Sequence, residues 1–284
     1  MAIPFLKMHG AANDFVVIDH RRRFLPESLE PLVARLCDRR RGVGADGVLL
    51  LESDPDHDFA MRTFNSDGRP AEYCGNGARC LARLALDLGL GSGDGRVRFR
   101  TAAGVQEARR SADGRGIELH FGILPSDGEA CEVEAAGRRF EGRLIRAGVP
   151  HFVTPVEHLE RAPVVEWGSA LRRHQRFGPA GANVDFVALL DAGRIAMRTY
   201  ERGVEAETLA CGSGAIASAL WAASRGEASP VSVVTAGGDE LAVSFHRAGG
   251  GFDVSLIGPA EVVFAGEWAD SAPVRGDAAP VVGR

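Results

Sequence analysis

Lysine is almost missing from this sequence. Of 33 basic residues only Lys7 is a lysine, and the rest are arginine. Pyridoxal-phosphate enzymes hold their cofactor through a lysine Schiff base. Here that lysine could only be Lys7, and no anchoring motif surrounds it. Cysteine is sparse too: Cys37, Cys74, Cys80, Cys131 and Cys211 are odd in number and scattered, which excludes a disulfide framework. Free thiols fit a reducing cytoplasm. No apolar run approaches the roughly 20 residues that span a bilayer. "MAIPFLKMHG" has no basic head before a long apolar stretch, so no signal peptide is expected. Positive charge is not in excess. The formal charge is −5, which argues against nucleic-acid or anionic-membrane partners. The arginine runs at Arg21–Arg23 and Arg39–Arg41 read as solvated faces.

What is present is an ordinary globular composition, 45% hydrophobic and 25% charged over 284 residues. That length suits one large domain or two of ordinary size. An internal repeat favours two. "AMRTFNSDGRPAEYCGNGARCLARLA" starts at Ala60 and "AMRTYERGVEAETLACGSGAIASALWA" at Ala196. Each has Ala-Met-Arg-Thr-aromatic, a polar loop, Cys-Gly-x-Gly-Ala and an alanine-rich stretch. The starts lie 136 residues apart and the cysteines 137. A weaker echo precedes each copy, "ANDFVVID" from Ala12 and "ANVDFVALL" from Ala182. Repeats of this length are domain-sized, not solenoid units.

Short apolar or alternating runs predict strands at Phe15–Asp19, Val48–Glu52, Asp58–Phe64, Val97–Arg100, Gly116–Phe121, Arg143–Arg146, Phe186–Leu190, Val231–Val234, Leu241–Phe245 and Phe252–Leu256. Helices are expected at Leu29–Cys37, Cys80–Leu88 and Ala215–Ser224. Leu81, Leu84, Ala85 and Leu88 recur at helical spacing. The expectation is an α+β protein with one helix per half packed on or inside a mainly antiparallel sheet. The tail from about Ala269 reads as disordered.

Each repeat places a cysteine and Gly-x-Gly at a helix N-terminus. Unpaired N–H groups there carry partial positive charge. They should lower the pKa of a nearby thiol and bind a carboxylate, with the glycines letting it approach. Cys37, Cys131 and Cys80 read as core or inert thiols. No metal site is expected, because the cysteine spacings do not fit one. "GVGADG" at Gly42–Gly47 fits a dinucleotide motif by letters only: it follows arginines and leads into a strand. A cysteine hydrolase using Cys74 or Cys211 with His151 would leave the duplicated cysteine unexplained. Two equivalent thiols facing each other suit inversion of a carbon centre instead. One thiolate removes a proton while the other thiol delivers one to the opposite face. Two helix N-termini would stabilise the charge developing on an adjoining carboxylate.

"KMHGAANDFVVID", "NSDGRPAEYCGNGARC", "GVPHFV", "GANVDFV", "YERGVEAETLACGSGA" and a late "GPA" occur in order from Lys7 to Ala260. Together they resemble the diaminopimelate epimerase family. The resemblance implies an α/β (α+β) fold of two pseudo-symmetric domains, each a barrel-like, mainly antiparallel sheet around a central helix. Residues 1–121, completed by a strand at about 259–268, would form one domain and residues 122–258 the other. It implies cofactor-independent interconversion of LL- and meso-diaminopimelate in lysine and peptidoglycan-precursor synthesis, by a cytoplasmic homodimer whose partner is a small-molecule substrate. Alternatives are a racemase or epimerase of histidine, proline or hydroxyproline on the same fold, or a non-catalytic amino-acid-binding protein.

By matching position the resemblance makes Cys74 and Cys211 the two acid/base residues. His151 and Glu201 become polar partners near the substrate α-amino group. Asn13, Asn65, Asn183 and Arg202 become substrate contacts, with Arg202 suited to a distal carboxylate. Gly75 with Asn76, and Gly212 with Ser213, would hold the reacting carboxylate through backbone N–H groups. Val149 stands where many members carry Asn, Gly47 where some carry Gln, and Ser213 where Thr is more usual.

Overall fold

The computed structural model describes residues 2–71, 73–125 and 127–269. The first run of the chain is β1 (Ala2–Gly10), β2 (Asn13–Asp19), α1 (Glu30–Cys37), β3 (Gly47–Glu52), β4 (Phe59–Asn65), β5 (Pro70–Ala71), α2 (Gly75–Asp87), β6 (Arg96–Thr101), β7 (Gly104–Arg110) and β8 (Ile117–Leu124). A hairpin strand, β9 (Glu129–Ala135), follows. The second run is β10 (Arg138–Ala147), β11 (Val149–Pro155), α3 (Val164–Arg172), β12 (Asn183–Asp191), β13 (Arg194–Glu201), β14 (Ala206–Thr208), α4 (Gly212–Ala223), β15 (Val231–Val234), β16 (Glu240–Ala248) and β17 (Gly251–Gly258). The last strand is β18 (Glu261–Ala269), which returns to pair antiparallel with β1. The tail expected to be disordered lies outside the described residues, apart from Ala269, which ends β18.

The two runs match element for element. Most strand pairs are antiparallel. The parallel ones fall at equivalent places: β2 with β3 and β11 with β12, then β4 with β6 and β13 with β15. Phe15 faces Gly47 in the first run and His151 faces Asn183 in the second. Both pairs are related by the same 136-residue shift as the repeat. This register corrects one expectation. The echo between "ANDFVVID" and "ANVDFVALL" equates β2 with β12, whereas the counterpart of β2 is β11. The echo is only the generic signature of a polar turn entering a buried strand.

Each run wraps one central helix. In β2 and β3 alternate side chains point to opposite faces. Val17, Leu49 and Leu51 join Ala78, Leu81 and Ala85 of α2 in one core. Val16, Ile18, Val48 and Leu50 join Leu32, Val33 and Leu36 of α1 in another. Burial on both faces explains why β3 is uniformly apolar rather than alternating. In the second run Val187, Met197, Val233, Val243 and Leu256 surround Ile216, Leu220 and Trp221 of α4. Val184 and Phe186 turn outward to Val164 and Leu171 of α3. Residues Gly214 to Ala222 are all buried, so α4 is enclosed on every side. The fold is thus sheet-dominated α+β, with the two outer helices α1 and α3 added to the two central ones.

Candidate active site

Cys74 and Cys211 are the N-cap residues of α2 and α4, and their backbones nearly superpose in conformation. Cys74 has φ −138° and ψ 114°, and Cys211 has φ −128° and ψ 110°. Both central helices begin at the first glycine after the cysteine, earlier than apolar spacing alone suggests. The two glycines of each motif do different work. Gly75 is open, with nothing nearer its Cβ position than Tyr73 at 4.0 Å. A Cβ on Gly77 would lie 2.9 Å from Leu49 Cδ2, and one on Gly214 would lie 2.6 Å from Asp185 Oδ1. The second glycine therefore seats the first helical turn against β3 or β12, a packing role in addition to the ligand approach expected of the glycines.

Around Cys74 the partners are amides. Its Sγ lies 3.5 Å from Asn13 Oδ1, which also accepts from Asn76 Nδ2 at 3.3 Å. Asn13 is oriented from its other end, where Nδ2 donates to Asp46 Oδ2 at 2.8 Å. Asn76 is oriented by Arg79, whose Nη2 donates to Asn76 Oδ1 at 2.9 Å. Arg79 is fully buried and also donates from Nε to the carbonyl of Pro259 at 3.1 Å.

Cys211 has a different neighbourhood. Its Sγ lies 3.5 Å from Ser213 Oγ, and Ser213 Oγ lies 3.0 Å from His151 Nε2. His151 Nδ1 faces Asp185 Oδ2 at 2.7 Å, with both side chains wholly enclosed. Thr199 Oγ1 donates to Asp185 Oδ1 at 2.7 Å. Asn183 Nδ2 meets His151 Nε2 at 3.2 Å, and its Oδ1 accepts the Arg202 backbone N–H at 2.7 Å.

The expected lowering of both thiol pKa values is reversed. Burial pushes both thiols up from the ordinary value. The N–H groups of Asn76 and Gly77 at Cys74, and of Gly214 at Cys211, pull the other way and are outweighed. Neither cysteine completes a capping hydrogen bond of normal geometry. Removing a thiolate from water costs more than partial charges at a helix end return. The negative charge of Glu201 opposes thiolate formation at both cysteines, which puts Glu201 within electrostatic reach of both helix ends. Burial raises the pKa of Glu201 itself, against the Thr208 hydroxyl and His151.

Of the residues anticipated from sequence, Cys74, Asn13 and Asn76 form one hydrogen-bonded group. Cys211, Ser213, His151 and Asn183 form another, joined by the Arg202 backbone. Asn65 is exposed at the end of β4 opposite Gly47, and its side chain has no hydrogen bond among the described residues. Nor does the Arg202 guanidinium have a carboxylate partner among them. Among the neighbours that the sequence reading lacks are Asp185, Thr199 and Arg79. The signal for Asp185 was an acid inside the apolar run "NVDFV", and for Arg79 a charge among small helical residues. Cys37 and Cys80 are buried, with burial pushing them up to about 11 and about 12. Cys131 is half-buried and also pushed up by burial. Lys7, the one lysine, is bound to Asp14 at 2.6 Å and to the Gly44 carbonyl.

Comparison with known proteins places the chain in a family. The family model for diaminopimelate epimerase matches residues 5–122 and 143–263. The chain is 43% identical over 256 residues to a diaminopimelate epimerase of Aquifex aeolicus, covering 86% of this chain and 91% of that one. It is 40% identical over 281 residues to that of Aromatoleum aromaticum, covering 94% and 99%. Among solved structures, a probable proline racemase from Agrobacterium radiobacter superposes with TM-score 0.68 at 19% identity, over 96% of this chain and 94% of that one. A PhzF-family phenazine biosynthesis protein of Bacillus anthracis gives 0.70 at 12% identity, over 95% and 99%. These last two share the fold. Matched over most of its length, and with both cysteines at equivalent helix ends, this chain belongs to the diaminopimelate epimerase family of isomerases.

Proposed function

We propose that the protein interconverts LL- and meso-diaminopimelate, with Cys74 and Cys211 as the two proton-transfer groups at the α-carbon. The observation that carries this reading is the placement of both thiols as N-caps of equivalent central helices, in matching backbone conformation. A pair of bases related in this way can address opposite faces of one carbon. The N–H groups of Gly75 and Asn76, and of Gly212 and Ser213, bind the reacting carboxylate and take up charge as the proton leaves. His151 and Glu201 sit beside the α-amino group, while Asn13, Asn65 and Asn183 position the rest. Arg202 takes the distal carboxylate with its planar fork. Relatives named for diaminopimelate support the choice of substrate.

In this reading no cofactor takes part, and the product serves lysine and peptidoglycan-precursor synthesis in the cytoplasm. Residues 1–121 with 259–268, and 122–258, are the two domains. A bulge in β8 opposite Val254 and Ser255, at Phe121, supports the boundary. The protein works as a homodimer. β18 pairs only with β1 among the described residues, and it exposes Val262, Val263 and Phe264 in sequence, an apolar strip suited to a second copy. To test the central reading, purified protein is incubated with LL-diaminopimelate in D₂O. Formation of the meso isomer with one deuterium at the inverted carbon supports it. Bound but unexchanged substrate would leave only an amino-acid-binding protein.

A further inference from the structure

We propose that Asp185 is a positioning residue for the Cys211 half of the reaction, holding His151 in the tautomer that accepts the Cys211 proton through the Ser213 hydroxyl. The inference rests on the reading of Cys211 as an acid/base group.

The tautomer follows from a donor that cannot change sides. The Arg202 backbone N–H can only donate, and it meets Asn183 Oδ1 at 2.7 Å. The amide nitrogen of Asn183 therefore faces His151 Nε2, at 3.2 Å. That ring nitrogen must accept, so the imidazole proton is on Nδ1 and is donated to Asp185 Oδ2 at 2.7 Å. Thr199 Oγ1 donates to the other carboxylate oxygen at 2.7 Å and fixes its plane. Ser213 Oγ, 3.0 Å from Nε2 and 3.5 Å from Cys211 Sγ, connects ring and thiol.

The proton path balances. The Ser213 O–H proton passes to His151 Nε2 as the Cys211 S–H proton passes to Ser213 Oγ. The result is a thiolate, an imidazolium and an unchanged serine hydroxyl that now donates to the thiolate, while the Asn183 amide gives up its hydrogen bond to the protonated Nε2. Asp185 stays ionised and stabilises the imidazolium, as the carboxylate of a hydroxyl–imidazole–carboxylate triad does. Burial and the charges of Glu201 and Asp185 all disfavour a lone thiolate at Cys211, and proton transfer to His151 places a compensating positive charge between Asp185 and the thiolate.

The other half of the fold shows that packing does not require a carboxylate here. Asp185 pairs across the sheet with Thr199, and its counterpart Leu49 pairs with Thr63. His151 likewise answers to Phe15. Leu49 closes on Gly77 as Asp185 closes on Gly214. One half fills this slot with apolar side chains. The other fills it with a hydrogen-bonded histidine and carboxylate, both fully enclosed, a costly substitution in the absence of a chemical use.

Two measurements test the proposal. In ¹⁵N-histidine-labelled wild-type protein, the His151 signals, assigned by their loss in His151→Gln, should show a protonated Nδ1 and an unprotonated Nε2 at neutral pH. A protonated Nε2 on a neutral ring would overturn the proposal, whatever any variant does. In Asp185→Leu and Asp185→Asn, exchange of the α-proton in D₂O should fall about 10- to 100-fold for the isomer that Cys211→Ala also disables. Exchange of the other isomer should hold within about threefold. Equal loss for both isomers, or no loss, would reject a positioning role for Asp185. If Cys211→Ala itself spares both exchanges, the two-base reading fails instead, and the nitrogen signals still decide the tautomer.

Discussion

Arg79 donates from Nη2 to Asn76 Oδ1 at 2.9 Å while its whole side chain is out of contact with solvent. Nη1 has no hydrogen-bond partner, and no carboxylate pairs with the guanidinium among the described residues. Burial pushes its pKa down. Such a cation is a poor device for stability. Its effect is to orient Asn76 and, through it, Asn13 beside Cys74. Arg79→Met should therefore leave unfolding free energy unchanged within about 1 kcal/mol or raise it. Exchange dependent on Cys74 should fall by about tenfold or more through lost orientation. Denaturant unfolding together with isomer-resolved exchange checks this. A loss of several kcal/mol with normal exchange would make Arg79 structural.

Gly77→Ala and Gly214→Ala should differ. The new methyl on residue 77 meets the end of the Leu49 side chain at 2.9 Å, and a leucine can rotate away. The methyl on residue 214 meets Asp185 Oδ1 at 2.6 Å, where hydrogen bonds to His151 and Thr199 hold the carboxylate in place. Overpacking of this kind costs about 1–3 kcal/mol. Urea midpoints should show Gly214→Ala as the less stable of the two, and only it should disturb the His151 nitrogen signals. Equal midpoints would show that the Asp185 network is pliant.

Asp14 links pH to stability at the margin of the site. Burial pushes its pKa up, but hydrogen bonds from Arg39 and Lys7 outweigh that and bring it from 3.8 to about 2. A carboxyl depressed in the folded state stabilises above its unfolded pKa, and that stability is lost as pH falls through its folded pKa. Asp14→Asn should thus cost up to about 2 kcal/mol at pH 7, less whatever solvent screens from the exposed Arg39 partner. The gap between wild type and variant should close between pH 4 and 2. Paired denaturant titrations across that range measure it, and a gap independent of pH would contradict the ion-pair account.

Much of this was legible beforehand because duplication wrote it twice. "AMRTF" and "AMRTY" mark β4 and β13, and the two Cys-Gly-x-Gly-Ala motifs mark the starts of α2 and α4. Equivalence failed to show where the halves have opposite chemistry. Phe15 answers to His151, and Leu49 to Asp185, so the true partner of β2 was hidden behind a chance likeness to β12. Helix α3 has Val164 and Val165 at its start and Gly168 in its middle, which blurs helical spacing. The thiol pKa values could not be read either. A helix end is visible in sequence, but the depth at which Cys211 is buried is a product of packing from distant strands.

The most direct test of the account is the fate of each α-proton in two single variants. LL- and meso-diaminopimelate are given separately, in D₂O, to Cys74→Ala and to Cys211→Ala. Both variants should lose inversion by at least about 10²- to 10⁴-fold. Each should retain α-proton exchange for only one isomer, and the retained isomers should be opposite. If either variant keeps wild-type inversion, or if both lose exchange of the same isomer alone, the two thiols are not paired bases on opposite faces of one carbon.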